Sequence, residues 1–216
     1  MTEKTDVTWR ALAPEDFDRV ADLMGRTWLP EFDEAGQRAA SRVELAHYLA
    51  SATWSLVAER AGEVLGAVLL AEREGEPVDG ADWAALEARE RAAAERDPQA
   101  AEAVRVEMDG VEEEARLEQE YAATGAPGTA ATVKLLIVAP EAKGLGLGGR
   151  LFSAAAEHLR KKGAKGYHLL TDDACDVGFY EHKGLRQAMR RRSQASWPGA
   201  DPATDEFYVY VYDQEL

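Results

Sequence analysis

The stretch from Val138 to Arg150, Val-Ala-Pro-Glu-Ala-Lys-Gly-Leu-Gly-Leu-Gly-Gly-Arg, carries the clearest chemistry in the chain. A strand-like run, Thr132–Val138, ends at Pro140, and four glycines fall between Gly144 and Gly149 before a helical pattern begins. Glycine permits positive φ and close backbone approach. The first N–H groups of a helix lack intrahelical acceptors, and the helix dipole adds positive potential there. Such a turn attracts a phosphate, and Lys143 and Arg150 can add charge beside it. A tight strand–helix turn with no ligand would use glycine in the same way. Gly144-x-Gly146-x-x-Gly149 also satisfies the dinucleotide fingerprint, with Asp172 at 23 residues beyond Gly149. That fingerprint normally opens its domain, whereas here two helices and three strands come first. The 67 residues after Gly149 are too few for the usual doubly wound sheet. No Gly-Lys-Ser/Thr ending supports a triphosphate loop.

The elements around this loop follow from periodicity. Residues 7–13 read as a first strand, and Pro14-Glu15-Asp16 starts a helix carrying Phe17, Val20, Ala21, Met24 and Trp28 at helical spacing. A second helix is expected from Ala39 to Ala50. A hairpin follows, with strands at Ser55–Glu59 and Val64–Ala71, the latter apolar enough to be covered on both faces. From Glu74 to Gly128 the chain becomes rich in Ala, Glu and Arg. Asp97-Pro98 caps and opens a helix, so two helices are expected, about 82–96 and 98–121, as an inserted hairpin packed by Val104, Met108, Val111 and Ala115. Beyond the glycine loop the pattern predicts a helix over Arg150–Lys162 ended by Gly163, and a strand over Tyr167–Thr171. A short helix over Asp173–Lys183 is ended by Gly184. Strands near Leu185–Arg192 and Glu206–Tyr212 follow, with a Trp197-Pro198-Gly199 loop between them.

The chain has 216 residues, which suits one domain with an elaboration. No apolar run nears the ~20 residues of a membrane helix, and the N-terminus shows no secretory pattern. One cysteine, Cys175, excludes an internal disulfide framework and a Cys-based zinc site, so the expected compartment is the cytoplasm. The net charge of −15 argues against a nucleic-acid partner. Residues 81–121 hold thirteen Asp/Glu against five Arg. A solvated helical face explains such a run, and so does attraction of a cationic substrate or partner.

Two linked motifs resemble the GCN5-related N-acetyltransferases. Their Gln/Arg-x-x-Gly-x-Gly/Ala motif, after a strand ending Val-x-Pro, is matched by Lys143-Gly144-Leu145-Gly146-Leu147-Gly148 after Val138-Ala139-Pro140, with lysine at the first position. Phe179-Tyr180-Glu181-His182-Lys183-Gly184-Leu185 matches the family's later Tyr-Glu-x-x-Gly pattern. The resemblance covers residues 7–72 loosely and 130–216 well, but not 74–128. It implies an α/β (α+β) fold of the acyl-CoA N-acyltransferase type. That fold is a mixed, mainly antiparallel sheet of six to seven strands flanked by helices, within a single domain 1–216 carrying the insertion. It implies acetyl transfer from acetyl-CoA to a primary amine, with no metal. The backbone of Leu136, Ile137 and Val138 would bond the pantetheine arm, and the amides of Gly144, Leu145, Gly146, Leu147, Gly148, Gly149 and Arg150, with Lys143, would hold the pyrophosphate. Tyr180 takes the general-acid position.

The base has several candidates. His168 stands twelve residues before the tyrosine, where some relatives carry glutamate, and its imidazole titrates near neutrality. Glu72 lies just past the apolar hairpin strand, and ordered water is a third choice. Asp173 stands where relatives often carry asparagine. The acceptor is expected to be a small-molecule or protein amine, with a tilt toward cationic ones, and without nucleic acid or membrane. Residues 81–121 have three roles open to them: a lid, a homodimer contact or a wall of the acceptor site. Two other functions compete: a non-catalytic acyl-CoA sensor whose acidic helices bind a partner, and a dinucleotide-dependent oxidoreductase.

Overall fold

The computed structural model describes residues 7–78, 81–195, 204 and 206–216. Its strands are β1 (Thr8–Arg10), β2 (Trp54–Arg60), β3 (Glu63–Glu72), β4 (Ala131–Val138), β5 (Gly166–Asp172), β6 (Arg186–Arg192) and β7 (Tyr208–Glu215). They form one mixed sheet in the order β1-β2-β3-β4-β5-β7-β6, in which only β4 and β5 run parallel. The helices are α1 (Phe17–Trp28), α2 (Glu34–Ser51), α3 (Trp83–Ala94), α4 (Pro98–Ala122), α5 (Leu147–Lys162) and α6 (Val177–His182). Strand β3 is buried from Val64 to Leu70, as an apolar strand covered on both faces must be. Helices α1 and α2 lie over one face. Helix α5 lies over the other, where its Leu151 abuts Gly66.

Three boundaries differ from the periodic reading, each because a cap decides it. Helix α2 starts five residues early because Asp33 accepts from Gly36 N at 2.8 Å. Helix α5 starts at Leu147, since Gly146 takes the N-cap position with φ +72°. The expected helix over Asp173–Lys183 is reduced to α6. Asp172 captures the amides of Ala174 and Cys175, and Asp176 that of Phe179, so a turn forms first. The Trp197-Pro198-Gly199 loop lies outside the described residues.

Helices α3 and α4 pack on α2 more than on each other. Ala100, Ala103, Val104, Met108 and Val111 of α4 meet Ala40 and Val43 of α2, and Ala115 stays half-exposed. Helix α3 is tied to α2 mainly by charge: Arg42 reaches Glu90 at 3.0 Å, and His47 Nδ1 lies 3.3 Å from Glu87. The far end of α4 docks on β7, where the buried Tyr121 hydroxyl donates to Asp213 at 2.7 Å. The two helices thus add a second layer over α2 and bring a row of glutamates across the sheet. Among the described residues no helix is long and apolar enough to cross a membrane.

Candidate active site

Strand β4 carries a bulge. Leu69 pairs with Leu135 and Leu70 with Val133, so Lys134 has no partner on β3. Its ammonium is held by Glu118 at 2.8 Å. Toward β5 the pairing covers only Thr132 with His168 and Val133 with Leu169. A bulge bends and twists its strand, and past Val133 the two parallel strands part. The gap opens a cleft of about 620 Å³, lined by β4, β5, the loop residue Lys143, Gly148 in the first turn of α5, Tyr180, and residues of α2 and α4. Val138 faces α5, against Gly148, while Thr132 faces α4 and donates to Glu118 at 2.8 Å. The cleft therefore passes through the sheet, from the α5 face to the α2–α4 face.

On the α5 face, Gly144 (φ +83°) and Gly146 (φ +72°) hold the turn in the left-handed region, where side chains are strained. A Cβ built on either would meet nothing within 4 Å, so space lies open above both. Leu147 is 2% exposed, its side chain anchored in the core while its amide sits at the helix start. The amides of Gly146, Leu147, Gly148 and Gly149 meet no backbone acceptor among the described residues; the first helical bond is Arg150 N to Gly146 O at 3.2 Å. These four donors and the dipole of a sixteen-residue helix form an anion cradle. Beside it, the β4 edge from Lys134 to Val138 is unpaired toward β5 and can extend the sheet to an amide-bearing arm. The cradle and edge fit a diphosphate carrier with an amide chain.

The cationic residues distribute differently from expectation. Lys143 lines the cleft. The Arg150 guanidinium instead stacks over Trp9, 4.4 Å from the ring centre. Lys183, at the end of α6, holds its ammonium 3.2 Å from where a Cβ on Gly149 would stand, bringing a cation to the cradle. Arg190 stacks on Tyr208, and Arg191 pairs with Glu120.

Tyr180 lines the cleft, packed by Phe152, Phe179 and Tyr212. Its hydroxyl has no hydrogen-bond partner among the described residues. Burial, with the nearby Cys175, Asp172 and Glu114, raises its pKa, so the phenol keeps its proton at neutral pH. Cys175 is exposed at the cleft, yet the protein crowding its sulfur, with the charges of Asp172 and Glu114, pushes the thiol up to about 12, which removes the thiolate a covalent route needs. Asp173 is spent on β7, accepting from Tyr208 N at 2.8 Å and the Tyr210 hydroxyl at 2.5 Å.

The two candidate bases are not brought into the cleft. His168 is 3% exposed, with Nδ1 2.9 Å from Gly128 O and Nε2 3.1 Å from Glu118. Even-numbered side chains of β5 face α4, and its ring is enclosed there beside Tyr121. Glu72 lies on the α5 side, where His158 Nε2 is 2.7 Å away under the Trp54 ring.

On the α2–α4 face the cleft is acidic: Glu44 from α2, and Glu107, Glu114 and Glu118 from α4, with Tyr48. Burial pushes Glu114 up to about 8, helped by Asp172 and opposed by Lys134. Burial raises Glu107 to about 7. Glu44 is raised by burial and by Glu107. For Glu118 burial acts upward as well, but hydrogen bonds from His168, Lys134 and Thr132 win and hold it down at about 2. Sequence reading missed these groups individually. Their signal was the acidic excess of residues 81–121, which periodicity alone could not aim into a cleft.

The sequence matches the profile of the Acetyltransferase (GNAT) family over residues 17–185. Solved structures share the fold at low identity. The ribosomal-protein-S18-alanine N-acetyltransferase of Escherichia coli is 12% identical at a TM-score of 0.57, with 98% of this chain and 94% of that one covered. The smu.2055 protein of Streptococcus mutans UA159 is 14% identical at 0.57, covering 96% and 98%. Ard1 of Thermoplasma volcanium is 14% identical at 0.54, covering 97% of each. No curated protein matches by sequence.

Proposed function

Because the chain belongs to the acetyltransferase (GNAT) family, we propose that it transfers the acetyl group of acetyl-CoA to a primary amine in the through-sheet cleft. The observation that carries this reading is the cleft itself. It joins an amide cradle and an unpaired strand edge on one face to carboxylates on the other, with the protonated Tyr180 lining the passage.

The cradle of Gly146 to Gly149, with Lys143 and Lys183 near it, takes the diphosphate. Main-chain donors do this work, so lysine at position 143 is compatible with binding. The β4 edge, Leu136 to Val138, aligns the amide arm and points the thioester toward Tyr180. An alkylammonium must lose a proton before it attacks. Glu114 lines the cleft, and its charge reaches Tyr180. Held up near 8, it is matched to take that proton near neutral pH. The amine's lone pair then attacks the thioester carbonyl. The C–N bond forms, the C–S bond breaks and Tyr180 protonates the departing thiolate; the second proton lost from the attacking nitrogen then restores the phenol.

The test is a panel of primary amines incubated with the protein and acetyl-CoA, read as free thiol released and as acetylated amine by mass spectrometry. Both products are expected in equal amounts. Tight acetyl-CoA binding with no acetylated amine across the panel would favour a sensor and reject the reading.

A further inference from the structure

One carboxylate in the cleft is left over by this mechanism. Glu44 is 3% exposed, yet it lines the cleft. Its Oε1 accepts from the Tyr48 hydroxyl at 2.8 Å, while its Oε2 is buried with no donor beyond a proton shared with the neighbouring Glu107 carboxyl. Buried polar atoms are nearly always satisfied, and a buried carboxylate oxygen without a donor is costly. The other two such atoms among the described residues, Thr27 Oγ1 and Thr171 Oγ1, belong to residues of the same cleft; Thr171 has only the weak sulfur of Cys175 beside it. The unmet hydrogen-bonding capacity of the described side chains is thus concentrated where an acceptor would sit.

The carboxylates also divide by position. Glu114 acts on Tyr180 electrostatically, so it belongs to the reacting end. Glu44 and Glu107 are directly coupled: Glu107 raises Glu44, while their mutual hydrogen bond lowers Glu107. Glu114, which also acts on Glu44, is the one of the three that acts on Tyr180. On α4, Glu107 and Glu114 are seven residues apart, hence on one face and about 10 Å apart along the axis. Lys134, the cation that acts on Glu114, is committed to Glu118. A monoamine would meet Glu114 and leave the Glu44–Glu107 pair without a counterion.

Resting on the acetyltransferase reading, we propose that the acceptor is a small linear diamine or polyamine: one nitrogen is acetylated at Glu114 and Tyr180, and a second ammonium is held by Glu44 and Glu107. The ammonium supplies the donors that Glu44 Oε2 lacks and neutralises the pair. A thin, unbranched chain reaches a carboxylate this deeply covered. A lysine on a polypeptide brings one ammonium at the end of its side chain, and its next charge lies on another side chain, outside the cleft.

The experiment separates binding from turnover. Calorimetry with the full chain saturated in coenzyme A compares 1,4-diaminobutane and 1,5-diaminopentane with butylamine and with a lysine-rich peptide. The diamines should bind about tenfold tighter than butylamine or better, as one additional charged contact predicts. In Glu44→Gln and Glu107→Gln that ratio should collapse toward one, with circular dichroism confirming the fold of whichever variant is used. Equal binding of diamine and monoamine, unchanged ratios in the variants, or tighter binding of the peptide than of either diamine would each overturn the proposal. Turnover reads the underlying function independently: acetylated butylamine with no diamine preference sinks the substrate class and leaves the acetyltransferase standing. Diamine binding without acetylation keeps the subsite and sinks the transferase.

Discussion

Without an acceptor, the protein should become more stable as the pH is lowered from about 8 to about 5, and Glu114→Gln should remove much of that gain. In an unfolded chain the Glu114 carboxyl titrates at its ordinary 4.5; in the fold, burial holds it up to about 8. Between those values the folded state binds a proton that the unfolded state has released. Stability from this group is therefore complete below 4.5 and is lost as pH rises toward 8. At about 1.4 kcal/mol per pH unit, Glu114 alone sets a ceiling of ~5 kcal/mol. Water in the open cleft lowers it, to an expected ~1–3 kcal/mol. Glu107, raised to about 7, acts in the same direction. Glu118 acts oppositely: held at about 2, it contributes stability above 4.5 that disappears as pH falls through its folded value. The two windows meet, placing the optimum at about pH 5. Urea denaturation across this range measures the profile, with a constant m-value showing that only stability has changed. Glu114→Gln should be more stable than the wild type at pH 8 and equal to it near pH 5. Parallel profiles for the two proteins would refute the placement of a forced, buried carboxylate in the cleft.

Tyr180→Phe should lower kcat about 100-fold, the lower range for loss of a general acid, while acetyl-CoA affinity stays within twofold; a kcat within twofold of wild type would remove the acid role. Cys175→Ser should keep full turnover, because a thiol held up near 12 has no thiolate to offer; inactivation would reopen a covalent route. Tyr121→Phe removes one donor from the buried Asp213 Oδ2, which keeps only its Arg186 contact, and should cost about 1 kcal/mol in urea titration. Acetyl-CoA should raise the melting temperature and NAD(P)H should not; stabilisation by the nicotinamide cofactor alone would return the oxidoreductase reading.

The sheet was legible where periodicity is unambiguous. The apolar run of β3 predicted burial on both faces, and Val138 to Gly149 predicted a strand, a glycine turn and a helix, all of which are present. Caps were harder to read. Asp33 extends α2, and Asp172 and Asp176 hold back α6, because local side-chain bonds to backbone compete with helical periodicity. The acidic insertion was legible as two helices but not in its role. Its charges leave a solvated face and a cation-attracting one both open until α2 is seen to offer Ala40 and Val43 to α4, which turns Glu107 and Glu114 toward the sheet. His168 illustrates the converse. Its chemistry suits a base, but the parity of β5 turns it toward Tyr121 and Gly128, and nothing in its own identity reveals that parity.

Acetyl-CoA binding to wild type and to Gly146→Glu, measured by calorimetry on proteins with matching circular dichroism, tests the central claim most directly. A Cβ at this position meets nothing within 4 Å, so the fold tolerates the change at the modest strain of a left-handed residue. The new carboxylate occupies the space above the amide cradle. The account predicts binding by the wild type and none by the variant; equal affinity for both would show that the diphosphate is held elsewhere.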